Sequence, residues 1–176
     1  VVTLAPVVFA VIPANNAAVT SSPSFVRLTY SEATSGLDPQ RSTFTVRKSG
    51  VAIPGGWAAT TDTMTFTPEG STLDGSYSVA ATLVDKMNNT GTFSSVFTVD
   101  TTPPAPPILN PITTPTTINQ QTITGTRETG TCTYMYRGET MYGSQYGGTA
   151  WGLAVPLTNG WNYWGFTAVD SAGNES

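Results

Sequence analysis

The sequence predicts an all-β protein made of two tandem β-sandwiches, and three observations carry that reading. Thr, Ser, Gly and Pro dominate, while runs of the helix formers Leu, Glu, Lys and Ala are absent, a composition suited to short strands joined by turns. Apolar residues recur at every second position through many short segments, which is the period of a strand with one face buried. One strand-and-turn segment also occurs twice: GSYSVAATLVDKMNN (75–89) aligns without gaps with GWNYWGFTAVDSAGN (160–174), so that Gly160, Asp170 and Asn174 follow Gly75, Asp85 and Asn89 at a constant offset of 85. A fixed offset at several special positions marks a repeated unit.

The first domain is expected over residues 1–100. Its strands are VVFAVI (7–12), FVRLTYS (25–31), STFTVR (42–47) and DTMTFTP (62–68), followed by the first copy of the repeat and TFSSVFTVD (92–100). SGLDPQ, KSG and PGG supply turn signals between them. About seven short strands in roughly 95 residues is the density of a sandwich. In the repeat, Tyr77, Val79, Ala81 and Leu83 share one face and are predicted to point inward, as are Phe93, Ser95, Phe97 and Val99 of its hairpin partner. The turn between them carries Asp and Asn, whose side chains bond nearby backbone, and Asn88 or Gly173 can take a positive φ.

TTPPAPP (101–107) holds four prolines in seven residues, which favours an extended, semi-rigid connection and forbids a central strand. The second domain, 101–176, is expected to build strands from ILNPI, TITG, TCTYMY, WGLAVPL and WNYWGFTAVD, with Gly-rich GETMYGSQYGG (138–148) as a loop. About fifteen residues after Asp85 complete the first domain, whereas six follow Asp170. The second sandwich is therefore predicted to lack its last strand and to leave the backbone edge beside residues 162–170 unpaired. VVTLA (1–5) reads as the tail of a preceding module, and residues 1–5 of a neighbouring copy are candidates to fill that edge. Pro6 and Pro13 interrupt the apolar start, so it reads as strand rather than as a targeting segment.

Pro13, Ala17 and Val19, LTYSEA (28–33), FTP (66–68) and FTVDTTPP together resemble the bacterial Ig-like domains of surface and S-layer proteins. Ile123–Thr126, Glu128, Trp151, Val155, Leu157, Gly160, Asn162, Ala168, Asp170, Ala172, Gly173 and Asn174 are similar to the pattern of a second bacterial Ig-like type. The resemblance implies modules strung in series on exported bacterial proteins, extracellular or at the cell surface, acting as structural spacers, in adhesion or beside a catalytic domain. It implies neighbouring Ig-like domains of the parent protein as partners.

Composition narrows the function classes. Seven Phe, seven Tyr and four Trp give apolar area that disordered chains lack. A net charge of -4 and a pI near 4.5 argue against nucleic acid as a partner, which needs a basic stripe. No stretch of about 18 apolar residues is present to span a membrane. The chain has no His and a single Cys132, which removes Ser–His and Cys–His nucleophile pairs, the usual zinc sites and an internal disulfide. The dispersed Asp and Glu give no sign of two carboxylates converging on a cleft. The expectation is a non-enzymatic protein without a cofactor.

Two groups remain as candidate binding residues. Asp85, Asp100 and Asp170, with Asn88, Asn89 and Asn174 nearby, could offer oxygens to calcium, which needs about six to eight; the competing reading is that they organise tight turns. Trp161 and Tyr163, on the face of their segment opposite Trp164 and Phe166, and Tyr134 and Tyr136, with Tyr142, Tyr146 and Trp151 in the same domain, could stack on the sugar rings of a polysaccharide or meet a host or cell-surface ligand. Against this, a small sandwich spends most aromatics on its inner faces.

Overall fold

A computed structural model describes residues 4–32 and 35–176. The described chain is all-β and divides into two compact units, one ending at Thr101 and the other beginning at Thr102.

The first unit carries β1 (Val7–Ile12), β2 (Ala17–Val19), β3 (Val26–Ser31), β4 (Thr43–Lys48), β5 (Val51–Ala52), β6 (Gly55–Ala59), β7 (Thr63–Pro68), β8 (Gly75–Val84) and β9 (Thr90–Val99). Two sheets form, one in the order β1-β3-β7-β6 and one in the order β2-β9-β8-β4-β5. Taking β1, β3, β4, β6, β7, β8 and β9 as strands A to G in chain order, these are the A-B-E-D and G-F-C sheets of an immunoglobulin-like sandwich. Ladder pairing is antiparallel except between β2 and β9, which run parallel from Ala17↔Phe97 to Val19↔Val99.

Period two decides what is buried. On β8, Tyr77, Val79, Ala81 and Leu83 are buried as the alternation requires, and across the sandwich Val26, Leu28 and Tyr30 of β3 and Met64 and Phe66 of β7 meet them in one apolar cluster. Tyr77 stacks on Phe97 with ring centroids 5.0 Å apart. Each Val, Leu, Met or Phe side chain of that cluster contributes about 1.5–3 kcal/mol on removal from water. The buried Tyr30 keeps its hydroxyl satisfied by donating to the Thr60 carbonyl at 2.7 Å, which offsets the cost of desolvating its polar end.

The second unit carries β10 (Ile108–Leu109), β11 (Gln120–Thr126), β12 (Cys132–Arg137), β13 (Thr140–Gln145), β14 (Ala150–Pro156) and β15 (Gly165–Val169). Its sheets run β10-β11-β14 and β13-β12-β15, the A-B-E and C′-C-F arrangement of the same fold. Ile123, Met135, Trp151 and Val155 form its buried cluster, with Leu153, Leu157, Trp164 and Phe166 packed at the margin.

Three expectations change. GETMYGSQYGG is not a loop throughout: β13 occupies Thr140–Gln145 and pairs with β12 through a tight turn at Gly138, whose φ is +60°. Strand WNYWGFTAVD begins at Gly165, leaving Trp161–Trp164 outside the ladder. The edge beside 162–170 is not open along its length, because Val169 bridges Glu175 and the Ser176 N–H donates to the Ala168 carbonyl at 2.9 Å. Residues 1–3 of the proposed edge-filling segment lie outside the described residues.

Candidate ligand-binding surface

The two repeat turns come first because their aspartates were candidate calcium ligands. In the first unit Asp85 Oδ1 accepts from the Met87 and Asn89 N–H groups at 2.9 and 2.7 Å, and Oδ2 accepts from Asn89 Nδ2 at 2.7 Å. In the second, Asp170 Oδ1 accepts from the Ala172, Gly173 and Asn174 N–H groups at 2.8, 2.8 and 2.9 Å, and Oδ2 from Asn174 Nδ2 at 2.9 Å. The residue before the second Asn has a positive φ in both, Asn88 at 71° and Gly173 at 101°. The two turns are the same device, an Asx turn closed by an Asp–Asn pair.

Burial pushes the Asp85 carboxyl up, but the bonds from Asn89 and Met87 outweigh it and leave the group below its ordinary value. Asp170 follows the same balance with Asn174, Gly173 and Ala172. Both carboxylates thus face a ring of donors, an arrangement that stabilises the anion and holds the turn. Asp100 is fixed through its backbone, its N–H donating to the Val19 carbonyl at 3.0 Å. No group of three His, Cys, Asp or Glu suited to a metal ion occurs among the described residues.

The aromatic candidates divide into two places. Tyr134 and Tyr136 lie two residues apart on β12, on the face away from the buried Met135, with ring centroids 6.4 Å apart and planes tilted by 59°. Pairing with β15 sets Thr167 across from Tyr134 and Gly165 across from Tyr136. The Tyr136 hydroxyl donates to Glu175 Oε1 at 2.8 Å, and Thr167 Oγ1 donates to the same oxygen. That carboxylate, with burial, raises the Tyr136 phenol above its usual range. Tyr134 and Tyr146 bring their hydroxyls to 3.4 Å; the Tyr134 hydroxyl and then Cys132 push Tyr146 up to about 12. Tyr136 and Tyr146 therefore stay protonated at physiological pH.

Trp161 and Tyr163 project from the segment between β14 and β15, 86% and 76% exposed. Asn162 between them is the reason for their posture: its Oδ1 accepts from the Thr158 N–H at 3.0 Å and its Nδ2 donates to the Thr158 and Gly160 carbonyls at 2.8 and 3.1 Å. Its inward bonds pin the loop and turn the flanking rings to solvent. Trp164 instead packs edge-on to Tyr142 at 5.0 Å, with the Arg137 guanidinium 5.5 Å from its ring. No ring contact among the described residues joins Trp161 or Tyr163 to the Tyr134–Tyr136 pair. Tyr146, one of the aromatic candidates, does lie beside Tyr134, whereas Thr167 and Glu175 were not foreseen; the strand register that sets Thr167 beside Tyr134 could have revealed one of them.

No family model and no curated protein sequence matches the chain. Among solved structures it is similar to PcoC, a methionine-rich copper resistance protein of Escherichia coli, at 21% identity and a TM-score of 0.49, covering 55% of this chain and 100% of that one. It is similar to titin domains z1z2 at 12% identity and a TM-score of 0.35, covering 100% and 94%. The Ig1-2 module of the Drosophila receptor phosphatase DLAR gives 11% identity, a TM-score of 0.31 and coverage of 98% and 95%. These likenesses are too distant to transfer a function. Immunoglobulin-like β-sandwich is the class that the strand order of the chain itself defines.

Proposed function

We propose that the chain is a pair of non-catalytic Ig-like modules of a larger exported bacterial protein, at the cell surface or secreted, where it serves as a structural spacer or in adhesion beside neighbouring Ig-like domains. The observation that supports this most is the repeated hairpin turn: Asp85 and Asp170 organise the same bonds to Asn89 and Asn174, 85 residues apart. A device repeated for holding a strand pair together serves the fold, and modules repeated in series are how spacers are built. The bacterial surface-protein resemblance of the sequence supports the same reading, and the acidic balance disfavours nucleic acid. No helix among the described residues is long and apolar enough to cross a membrane. Replacing residues 1–176 in the parent protein by an unrelated sandwich pair tests the spacer role: retained surface display is expected of a spacer, and its loss would count against it.

The exposure of Trp161 and Tyr163 favours a second reading, a carbohydrate-binding or accessory module of an extracellular glycan-active enzyme. Pull-down on insoluble polysaccharides separates the two. Binding that is lost in the Trp161→Ala, Tyr163→Ala double variant supports the second; absence of binding by the parent chain removes it.

A further inference from the structure

Asparagine side chains hold the turns that follow β8 and β15 and the loop between β14 and β15: Asn89 and Asn174 bond the Asp of their turns, and Asn162 bonds the loop backbone. Asn159, in the same loop, is used differently. It is exposed, and among the described residues its side chain makes no hydrogen bond. It is also the one asparagine of the sequence that a glycine follows. Gly160 has a φ of +92°, and a Cβ built there would meet nothing within 4 Å. Its N–H has no acceptor among the described residues.

These features together permit an intramolecular reaction. A backbone nitrogen is a poor nucleophile when its N–H is held in a hydrogen bond or when its own side chain screens it; at Gly160 neither applies. After losing its proton to base, the Gly160 nitrogen closes a five-membered ring on Asn159 Cγ. The N–Cγ bond forms, the Cγ–Nδ2 bond breaks, and Nδ2 takes up a proton and leaves as ammonia, which gives a cyclic imide. Water then opens the imide at one of its two carbonyls. Opening at Cγ yields Asp; opening at the main-chain carbonyl yields an isoaspartyl link, in which the chain runs through Cβ and Cγ and the α-carboxylate is free. Water is the only co-reactant, and no electron changes hands.

Asn162 gives the product a structural consequence. Its Nδ2 donates to the Thr158 and Gly160 carbonyls at 2.8 and 3.1 Å, and its Oδ1 accepts from the Thr158 N–H at 3.0 Å. One amide thus bridges the residues on either side of position 159, and an isoaspartyl link lengthens the main chain between those anchors by one atom. We propose that Asn159–Gly160 is a self-modification site that converts without an enzyme to aspartyl and isoaspartyl forms, and that the isoaspartyl form releases the Asn162 clamp on the loop bearing Trp161 and Tyr163. The reaction is the same whether those rings meet a polysaccharide or nothing.

The test ages the full chain at physiological temperature in mildly alkaline and in mildly acidic buffer. Peptide mass spectrometry is expected to find the amide-to-acid exchange at residue 159 several times faster than at any other asparagine, and faster in the alkaline buffer. Isoaspartyl methyltransferase is expected to label the same peptide, and to leave Asn159→Gln unlabelled, since glutamine would have to close a six-membered ring. Hydrogen exchange at the Thr158 amide is expected to become several-fold faster in the isoaspartyl fraction. Asn162→Ala should reproduce that change, whereas fresh Asn159→Asp, which carries the charge without the longer backbone, should not. Residue 159 reacting no faster than the other asparagines would overturn the site. An isoaspartyl fraction with unchanged Thr158 exchange, or equal acceleration in fresh Asn159→Asp, would overturn the release of the clamp.

Discussion

Asp85 and Asp170 show how one side chain can fix the end of a strand pair. An Asn in either place keeps an acceptor for part of the turn but turns an amide toward the Nδ2 of Asn89 or Asn174, so a donor faces a donor. Asp85→Asn is expected to lower the melting temperature of the first unit by roughly 5–10 °C, and Asp170→Asn that of the second, read by calorimetry. Both carboxyls have lower pKa values in the folded chain than their ordinary 3.8, so the folded state binds fewer protons in that range and falling pH favours unfolding. Their contribution is complete above about pH 5 and is lost as pH falls below the ordinary value and through the lowered folded ones. The acid dependence of each unit should weaken in its own Asp→Asn variant.

Arg127 also has a decisive local role. It is buried, and its guanidinium donates to Thr133 Oγ1 at 2.9 Å and to the Gln145 and Gly147 carbonyls at 2.6 and 2.5 Å, while its own N–H donates to the Thr149 carbonyl at 2.8 Å. The planar fork joins the end of β11 to β12 and to the segment between β13 and β14. Lysine keeps the charge but cannot reach three acceptors in one plane. Arg127→Lys is expected to cost the second unit about 2–3 kcal/mol in urea denaturation.

Among the elements of the second unit, β11 has the tightest glycine constraint. A Cβ at Gly125 would lie 2.1 Å from the Ile108 carbonyl oxygen and 2.8 Å from the Trp151 ring, one a paired backbone and the other a buried indole. Gly125→Ala is expected to destabilise the second unit by about 1–3 kcal/mol. Gly152→Ala on the neighbouring strand β14 meets the Thr122 and Thr124 methyls at 3.5 and 3.4 Å and the Ile123 carbonyl oxygen at 3.9 Å and should stay within about 1 kcal/mol. The same contrast explains which strands were legible in the sequence. β8 announces itself because four inward apolar residues alternate with outward ones. β13 does not, since Met141 and Tyr142 are exposed and no inward face stands out in TMYGSQ; its pairing with β12 is a tertiary choice that local pattern does not carry. Trp161–Trp164 misled in the opposite sense, because the aromatic alternation mimics a strand while Asn162 spends its side chain holding a loop.

For the molecule as a whole, the two cores differ in size more than the two chain lengths do. The buried cluster of the first unit draws on strands of both sheets, from Val26 through Val99, whereas that of the second holds Ile123, Met135, Trp151 and Val155. Buried apolar area is the main favourable term in stability, so the second unit should unfold first. Differential scanning calorimetry at neutral pH is expected to resolve two transitions. Asp85→Asn should move the upper one and leave the lower in place, and Arg127→Lys should do the reverse. Independent domains require that separation; a single transition displaced by both variants would mean that the units fold as one cooperative body. Lowering the pH toward 3 should bring both transitions down together, because each unit closes a hairpin on an aspartate of the same kind.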